Sequence, residues 1–151
     1  AGDVKLFLIQ QEQGSLPYMG AAKSAASRLD HVVVNSGNPH RAMATYGARL
    51  GLDLALDRTN EKWGARFLFF RTDDLTVEVV QRLDGSMAAE DPDYLWGMTY
   101  EMSDLDAAHE RLTGLGVSVG EVRPGRKAGT RVMRVSSHCL GIPTLLLDNR
   151  G

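Results

Sequence analysis

The apolar positions of this chain change their period several times, and each change marks an element. Leu29 to Asn35 is β-branched and apolar, which predicts a buried strand. Asn38 followed by Pro39 predicts a helix start, a capping side chain and then proline at the first helical position. Ala42, Met43, Tyr46 and Leu50 recur at helical spacing and give that helix one apolar face, with Gly51 as its left-handed end. Strands near 52–58, 65–72 and 76–82 follow, the last two joined by a tight turn at Asp73-Asp74.

The same order then returns. Leu95 to Met102 predicts a strand, and Ser103 or Asp104 caps a helix with Leu105, Ala108, Leu112 and Leu115 on one face. Gly116 ends it, and strands near 117–123, 130–136 and 143–148 complete the set. Direct self-comparison supports the repeat: Leu50-Gly-Leu52 matches Leu115-Gly-Val117, and Ala65 to Arg71 matches Thr130 to Val135 in pattern. The chain therefore divides into residues 1–28, a βαβββ module at 29–83, a polar linker at 84–94, and a second βαβββ module at 95–149. Before the first module, Val4 to Gln10 reads as a further strand similar to the last strand of each module, with a small, polar, linker-like stretch from Gly14 to Ser27. Two readings fit it: an N-terminal arm adding an edge strand, or the remnant of an earlier module of a longer chain.

Composition narrows the classes. The chain has 151 residues, enough for one real core, and 43% of them are apolar. A formal charge of −2, with no basic stripe, makes neither nucleic acid nor an anionic membrane a natural partner. No apolar stretch approaches the roughly 20 residues that span a bilayer, and no signal-peptide pattern opens the sequence. One cysteine, Cys139, excludes an internal disulfide framework and reads as a small buried hydrophobe, so a cytoplasmic location is the expectation.

Two polar side chains stand out against apolar strands. His31 lies in Leu29-Asp-His-Val-Val-Val34 and Glu78 in Leu75-Thr-Val-Glu-Val-Val-Gln81, and both residue types transfer protons and ligate metals. Their counterparts in the second module lack such a group. These phrases, with Leu95-Trp-Gly-Met-Thr-Tyr100, Asp104-Leu-Asp-Ala-Ala108 and Gly141-Ile-Pro-Thr-Leu-Leu-Leu147, resemble the vicinal oxygen chelate superfamily, over about residues 29 to 148. That superfamily includes glyoxalase I, methylmalonyl-CoA epimerase, extradiol dioxygenases and the fosfomycin- and bleomycin-resistance proteins.

The resemblance implies an α+β fold in which two tandem βαβββ modules form curved mixed sheets around a cavity, here with the N-terminal extra strand added. It implies metal ligands on the first and last strands of paired modules. His31 and Glu78 match two of these positions, while Gly97 and Leu145 stand at the other two and offer no side-chain donor. A divalent Zn, Ni, Mn or Fe is thus a possible cofactor at an incomplete site, with Glu101 or His138 as the remaining donors to consider. None is firmly implied.

Strand parity then puts Gly97 and Thr99 toward the cup and Trp96, Met98 and Tyr100 under the helix, with Gly97 leaving room for a larger ligand. Gly125-Arg-Lys-Ala-Gly129 fits no phosphate-loop spacing and reads as a basic hairpin loop, from which Arg126 meets an acidic ligand group at the cavity mouth. His31 and Glu78 are the expected catalytic pair; Gly97, Thr99, Glu101, Leu145 and Arg126 are the expected binding residues. The leading expectation is a glyoxalase-like protein binding a small organic ligand, with lyase or isomerase-type proton transfer. The alternatives are a metal-dependent lyase or dioxygenase with a rearranged third ligand, and a non-catalytic binder of the bleomycin-resistance type. A homodimer is expected, the Val4–Gln10 strand aiding association.

Overall fold

The structure, a computed structural model, describes residues 4–10, 22 and 24–149. Eight strands form one mixed sheet in the order β2-β3-β4-β1-β5-β8-β7-β6. They are β1 (Ala26–Asn35), β2 (Asp53–Asn60), β3 (Ala65–Arg71), β4 (Thr76–Arg82), β5 (Tyr94–Met102), β6 (Arg123–Pro124), β7 (Thr130–Val135) and β8 (Thr144–Asn149). Within each half, the first strand runs parallel to the last, β1 to β4 and β5 to β8. The halves join through the antiparallel pair β1–β5, which places the two first strands at the centre.

The helices form where capping chemistry marks them. Asn38 Oδ1 accepts from Arg41 N at 3.0 Å, and Pro39 opens α1 (Pro39–Ala42), which continues as a π-helical segment, Met43–Arg49. Gly51 follows at φ +71°, a left-handed conformation that glycine adopts without strain. In the second half, Asp104 Oδ1 accepts from Ala107 N at 3.0 Å and caps α2 (Leu105–Gly114). Each helix covers its own apolar cluster on one face of the sheet. Val34, Ala42, Tyr46, Leu68, Phe70, Val77 and Val79 pack together in the first half. Met102, Leu105, Ala108, Met133, Val135 and Leu146 do so in the second, with half-buried Cys139 against them.

Because successive strand side chains point to opposite faces, His31, Glu78, Gly97, Thr99, Glu101 and Leu145 lie on the face away from the helices. That face is concave. In a flat sheet β3 and β7 would stand five strand spacings of about 4.8 Å apart, roughly 24 Å. Yet Arg126, from the β6–β7 connection, sits 4.6 Å from the ring centroid of Trp63, from the β2–β3 connection. The sheet must curl for these two connections to meet.

Three expectations are corrected. Residues 4–10 form no strand: Val4 packs against the first core cluster and its N–H donates to Asp93 O at 3.1 Å, but Phe7, Leu8 and Ile9 stand exposed. Among the described residues this segment pairs with neither edge strand of the sheet. Second, β1 begins at Ala26, three residues earlier than the apolar run indicates; residues 14–21 and 23 of the expected linker lie outside the described residues. Third, the strand expected at 117–123 shrinks to the two residues of β6 and one bridge between Val119 and Val135. Pro124 has no N–H to donate, and this edge keeps isolated bonds, such as Gly120 N to Arg134 O at 2.8 Å. The linker is held firmly: Arg41 donates to Ala89 O and Asp91 O, each at 2.7 Å, and pairs with Asp93.

Candidate functional site

Glu78 and His31 stand on the adjacent parallel strands β4 and β1, on the same concave face, with Glu78 level with Val33 and His31 level with Thr76. They are near enough for the charge of His31 to act on Glu78. Glu78 is partly buried, and burial pushes its carboxyl above the ordinary value of 4.5, opposed by the positive charges of His31 and Arg126. Arginines that could have neutralised it are engaged elsewhere: Arg66 pairs with Asp57 at 2.6 Å and Arg82 with Asp84 at 3.2 Å. Among the described residues Glu78 has no ion pair and no side-chain hydrogen bond. No buried side-chain oxygen or nitrogen among those residues lacks a partner, so the carboxylate opens onto the cleft.

His31 is held from both sides. Asp30 Oδ2 lies 2.8 Å from Nδ1, and Thr99 Oγ1 lies 2.9 Å from Nε2. An ionised carboxylate only accepts, so Nδ1 carries the proton, and in the neutral ring Nε2 accepts from the Thr99 hydroxyl. A β-bulge between Leu29 and His31 makes this possible, since it inserts Asp30 as an extra residue opposite Thr99. The network continues outward: Arg28 pairs with Asp30 at 2.7 Å and with Glu101 at 2.6 Å. Thr99 is buried at 3% exposure, with its hydroxyl engaged by His31.

This donor set does not suit the resident divalent cation that the fold family implies. Both nitrogens of His31 are occupied, and Glu101 is committed to Arg28. Leu145, level with Thr99 on β8, presents no donor. His138 is directed to Ser137 Oγ at 2.9 Å and lines a separate pocket of about 260 Å³ with Cys139 and Pro143. Among the described residues no group of three or more His, Cys, Asp or Glu side chains is placed to hold a metal ion.

Gly97 also has a packing role. A Cβ there would lie 3.0 Å from Pro143 O, the carbonyl at the start of β8 to which Met98 N donates. Gly97→Ala is expected to destabilise the protein by about 1–3 kcal/mol, as overpacking does, with the pH response of Glu78 unchanged; urea denaturation at several pH values checks both.

One wall of the cleft is aromatic. Trp63 and Phe67 meet edge to face at 5.8 Å, and Phe67 and Phe69 stack at 6.5 Å. Phe69 is the cross-strand partner of Glu78. Alternation within Phe67-Leu-Phe-Phe70 already indicates that Phe67 and Phe69 share one face and Leu68 and Phe70 the other. What it does not reveal is Trp63, which a short 3₁₀ turn (Glu61–Trp63), capped by Asn60 and closed by left-handed Gly64, sets at the cup's mouth. Arg126 stands over its ring.

A concave sheet of paired βαβββ halves, enclosing a polar pair and an aromatic wall, defines a small-molecule-binding fold of the vicinal oxygen chelate type. A family model described as Glyoxalase/Bleomycin resistance protein/Dioxygenase superfamily matches residues 30–133, and the chain belongs to that family. Solved structures share the fold. Methylmalonyl-CoA epimerase from Mycobacterium tuberculosis is 22% identical, with a TM-score of 0.66 over 88% of this chain and 95% of that one. A variant of the Streptomyces coelicolor epimerase in complex with 2-nitronate-propionyl-CoA is 19% identical, with a TM-score of 0.62 over 84% of this chain and 100% of that one. A hypothetical protein from Bacillus halodurans C-125 is 14% identical, with a TM-score of 0.64 over 82% and 95%. At these identities the likeness is one of fold. No curated protein matches the chain. No helix among the described residues is long and apolar enough to cross a membrane.

Proposed function

We propose that the cup binds a small carbonyl compound and that Glu78 moves a proton on it, an isomerase- or lyase-type reaction in which no protein-bound metal takes part. The observation that carries this reading is the Glu78 carboxyl: open to the cleft, without an ion pair, and pushed above the ordinary carboxylate range by burial. A carboxylate raised toward neutral pH is a stronger base while still ionising, which is what general base catalysis requires.

In this reaction Glu78 takes the proton from the carbon next to the carbonyl. The C–H electron pair becomes the new carbon–carbon π bond, and the carbonyl π pair moves to oxygen as an enolate. Protonation of the opposite face by water, with Glu78 giving its proton up to solvent, gives isomerisation; loss of a leaving group from the neighbouring carbon gives elimination. The positive charge of Arg126 favours the extra negative charge in the cleft. Asp30 and Thr99 fix the His31 ring and so fix the field at Glu78. The epimerases with the same fold are named for an acyl-CoA, which is compatible with this chemistry and makes CoA thioesters a sensible class to try.

The test is proton exchange. Small 2-oxo acids, 2-substituted acids and acyl-CoA thioesters are incubated with protein in D2O, and loss of the α-proton signal is followed by NMR. Exchange of at least one compound, abolished in Glu78→Gln, is expected. No exchange across the panel, or exchange indifferent to Glu78→Gln, would overturn the reading.

A further inference from the structure

The Arg126 guanidinium lies over the Trp63 ring at 4.6 Å and, among the described residues, has no ion pair. Its loop, between β6 and β7, and the loop carrying Trp63 come from opposite ends of the sheet order and meet here. Behind them runs the Phe67–Phe69 wall, ending at Glu78. The concave face carries further positive charge: Arg58 is the cross-strand partner of Phe67, and Arg134 that of Leu145, both exposed. The acids on the parts of that face described above are Glu78 and the Arg28-paired Asp30 and Glu101. An arginine resting on a ring is more easily desolvated than an ammonium and keeps its planar fork of donors free.

We infer that Arg126 is an anion-capturing arm: it moves between the Trp63 ring and the carboxylate or phosphate of a ligand whose apolar body lies along Trp63, Phe67 and Phe69. This rests on the cleft being a ligand site but not on any proton transfer there. The apolar body faces the rings, the anionic head is held at the mouth, and the remaining end of the ligand reaches Glu78. A fork of parallel N–H donors matches either oxyanion.

Three probes share one ring: phenylacetate, phenyl phosphate and the neutral phenylacetamide. Binding is read from Trp63 fluorescence in a Trp96→Phe background, which leaves Trp63 as the sole tryptophan. At least one anionic probe is expected to bind tighter than phenylacetamide and to change Trp63 emission as Arg126 leaves the ring. Arg126→Met should weaken that anion roughly 10- to 100-fold, the value of a charge-assisted contact, while leaving phenylacetamide binding unchanged. Carboxylate preference over phosphate, or the reverse, identifies the head group. Equal binding of anionic and neutral probes, no binding of any, or an unchanged affinity in Arg126→Met would overturn the inference. The two readings fail separately: anion preference is read by binding alone, so Arg126→Met tests it whether or not any compound exchanges a proton at Glu78.

Discussion

Arg131→Met is expected to cost about 3 kcal/mol of stability, the low end of what breaking a buried ion pair costs. Arg131 grips Asp148 with two bonds, Nε to Oδ1 at 3.1 Å and Nη2 to Oδ2 at 2.5 Å, and also reaches Asp106. The Asp148 side chain is only 4% exposed, while Arg131 keeps 25%, which is why the lower figure applies. Asp148 also accepts from Leu105 N at 3.4 Å, at the start of α2. The cluster thus ties β7, β8 and α2 together under the second core. Both acids hold the guanidinium well above its ordinary range. Methionine keeps the apolar stem but removes the cation from a buried carboxylate. Urea denaturation should show a lower midpoint with an unchanged slope, and the double variant Arg131→Met, Asp148→Leu should recover much of the loss. A loss below about 1 kcal/mol in the single variant, the range of a surface pair, would show that the cluster is not a structural tie.

Much of the fold is legible in the sequence because local signals and burial agree there. Asn38-Pro39, Gly51, Asp104 and Gly116 each mark a helix end through chemistry local to them. The β-branched run of β1 and the alternation of β4 reflect one face against a helix and the other against the cup. Where the signals fail, the cause is non-local. Val4–Gln10 is apolar enough for a strand, but strands need a partner edge, which sequence cannot display. The close packing of Gly97 against Pro143 O depends on the neighbouring strand and has no mark in its own segment. The pairing of His31 with Asp30 depends on a bulge that no motif announces, and the meeting of Arg126 with Trp63 depends on the curl of the whole sheet. The repeat, by contrast, is visible directly, because each half is built from the same order of elements.

Glu78→Gln is expected to be the most consequential single change, abolishing proton exchange while stabilising the fold at neutral pH. General base catalysis contributes about 10²–10⁴-fold, so exchange of a competent substrate should fall by that range. The stability effect follows from the carboxyl being pushed up by burial, with His31 and Arg126 only partly opposing it. A carboxyl whose folded value exceeds its unfolded one binds more protons in the native state, so the native state loses stability as pH rises from the unfolded value through the folded one. Below the ordinary value of 4.5 the wild-type group is protonated in both states, and the variant gains little there. As pH rises the variant's advantage should grow, then level off above the raised value. Denaturation of both proteins between pH 4 and 8 follows this directly. A structural ion pair predicts the opposite slope: its carboxyl is depressed, the wild type gains stability as pH rises, and glutamine is the weaker residue at pH 7. That outcome, together with unimpaired exchange, would move Glu78 from the chemistry of the cup to the scaffold that surrounds it.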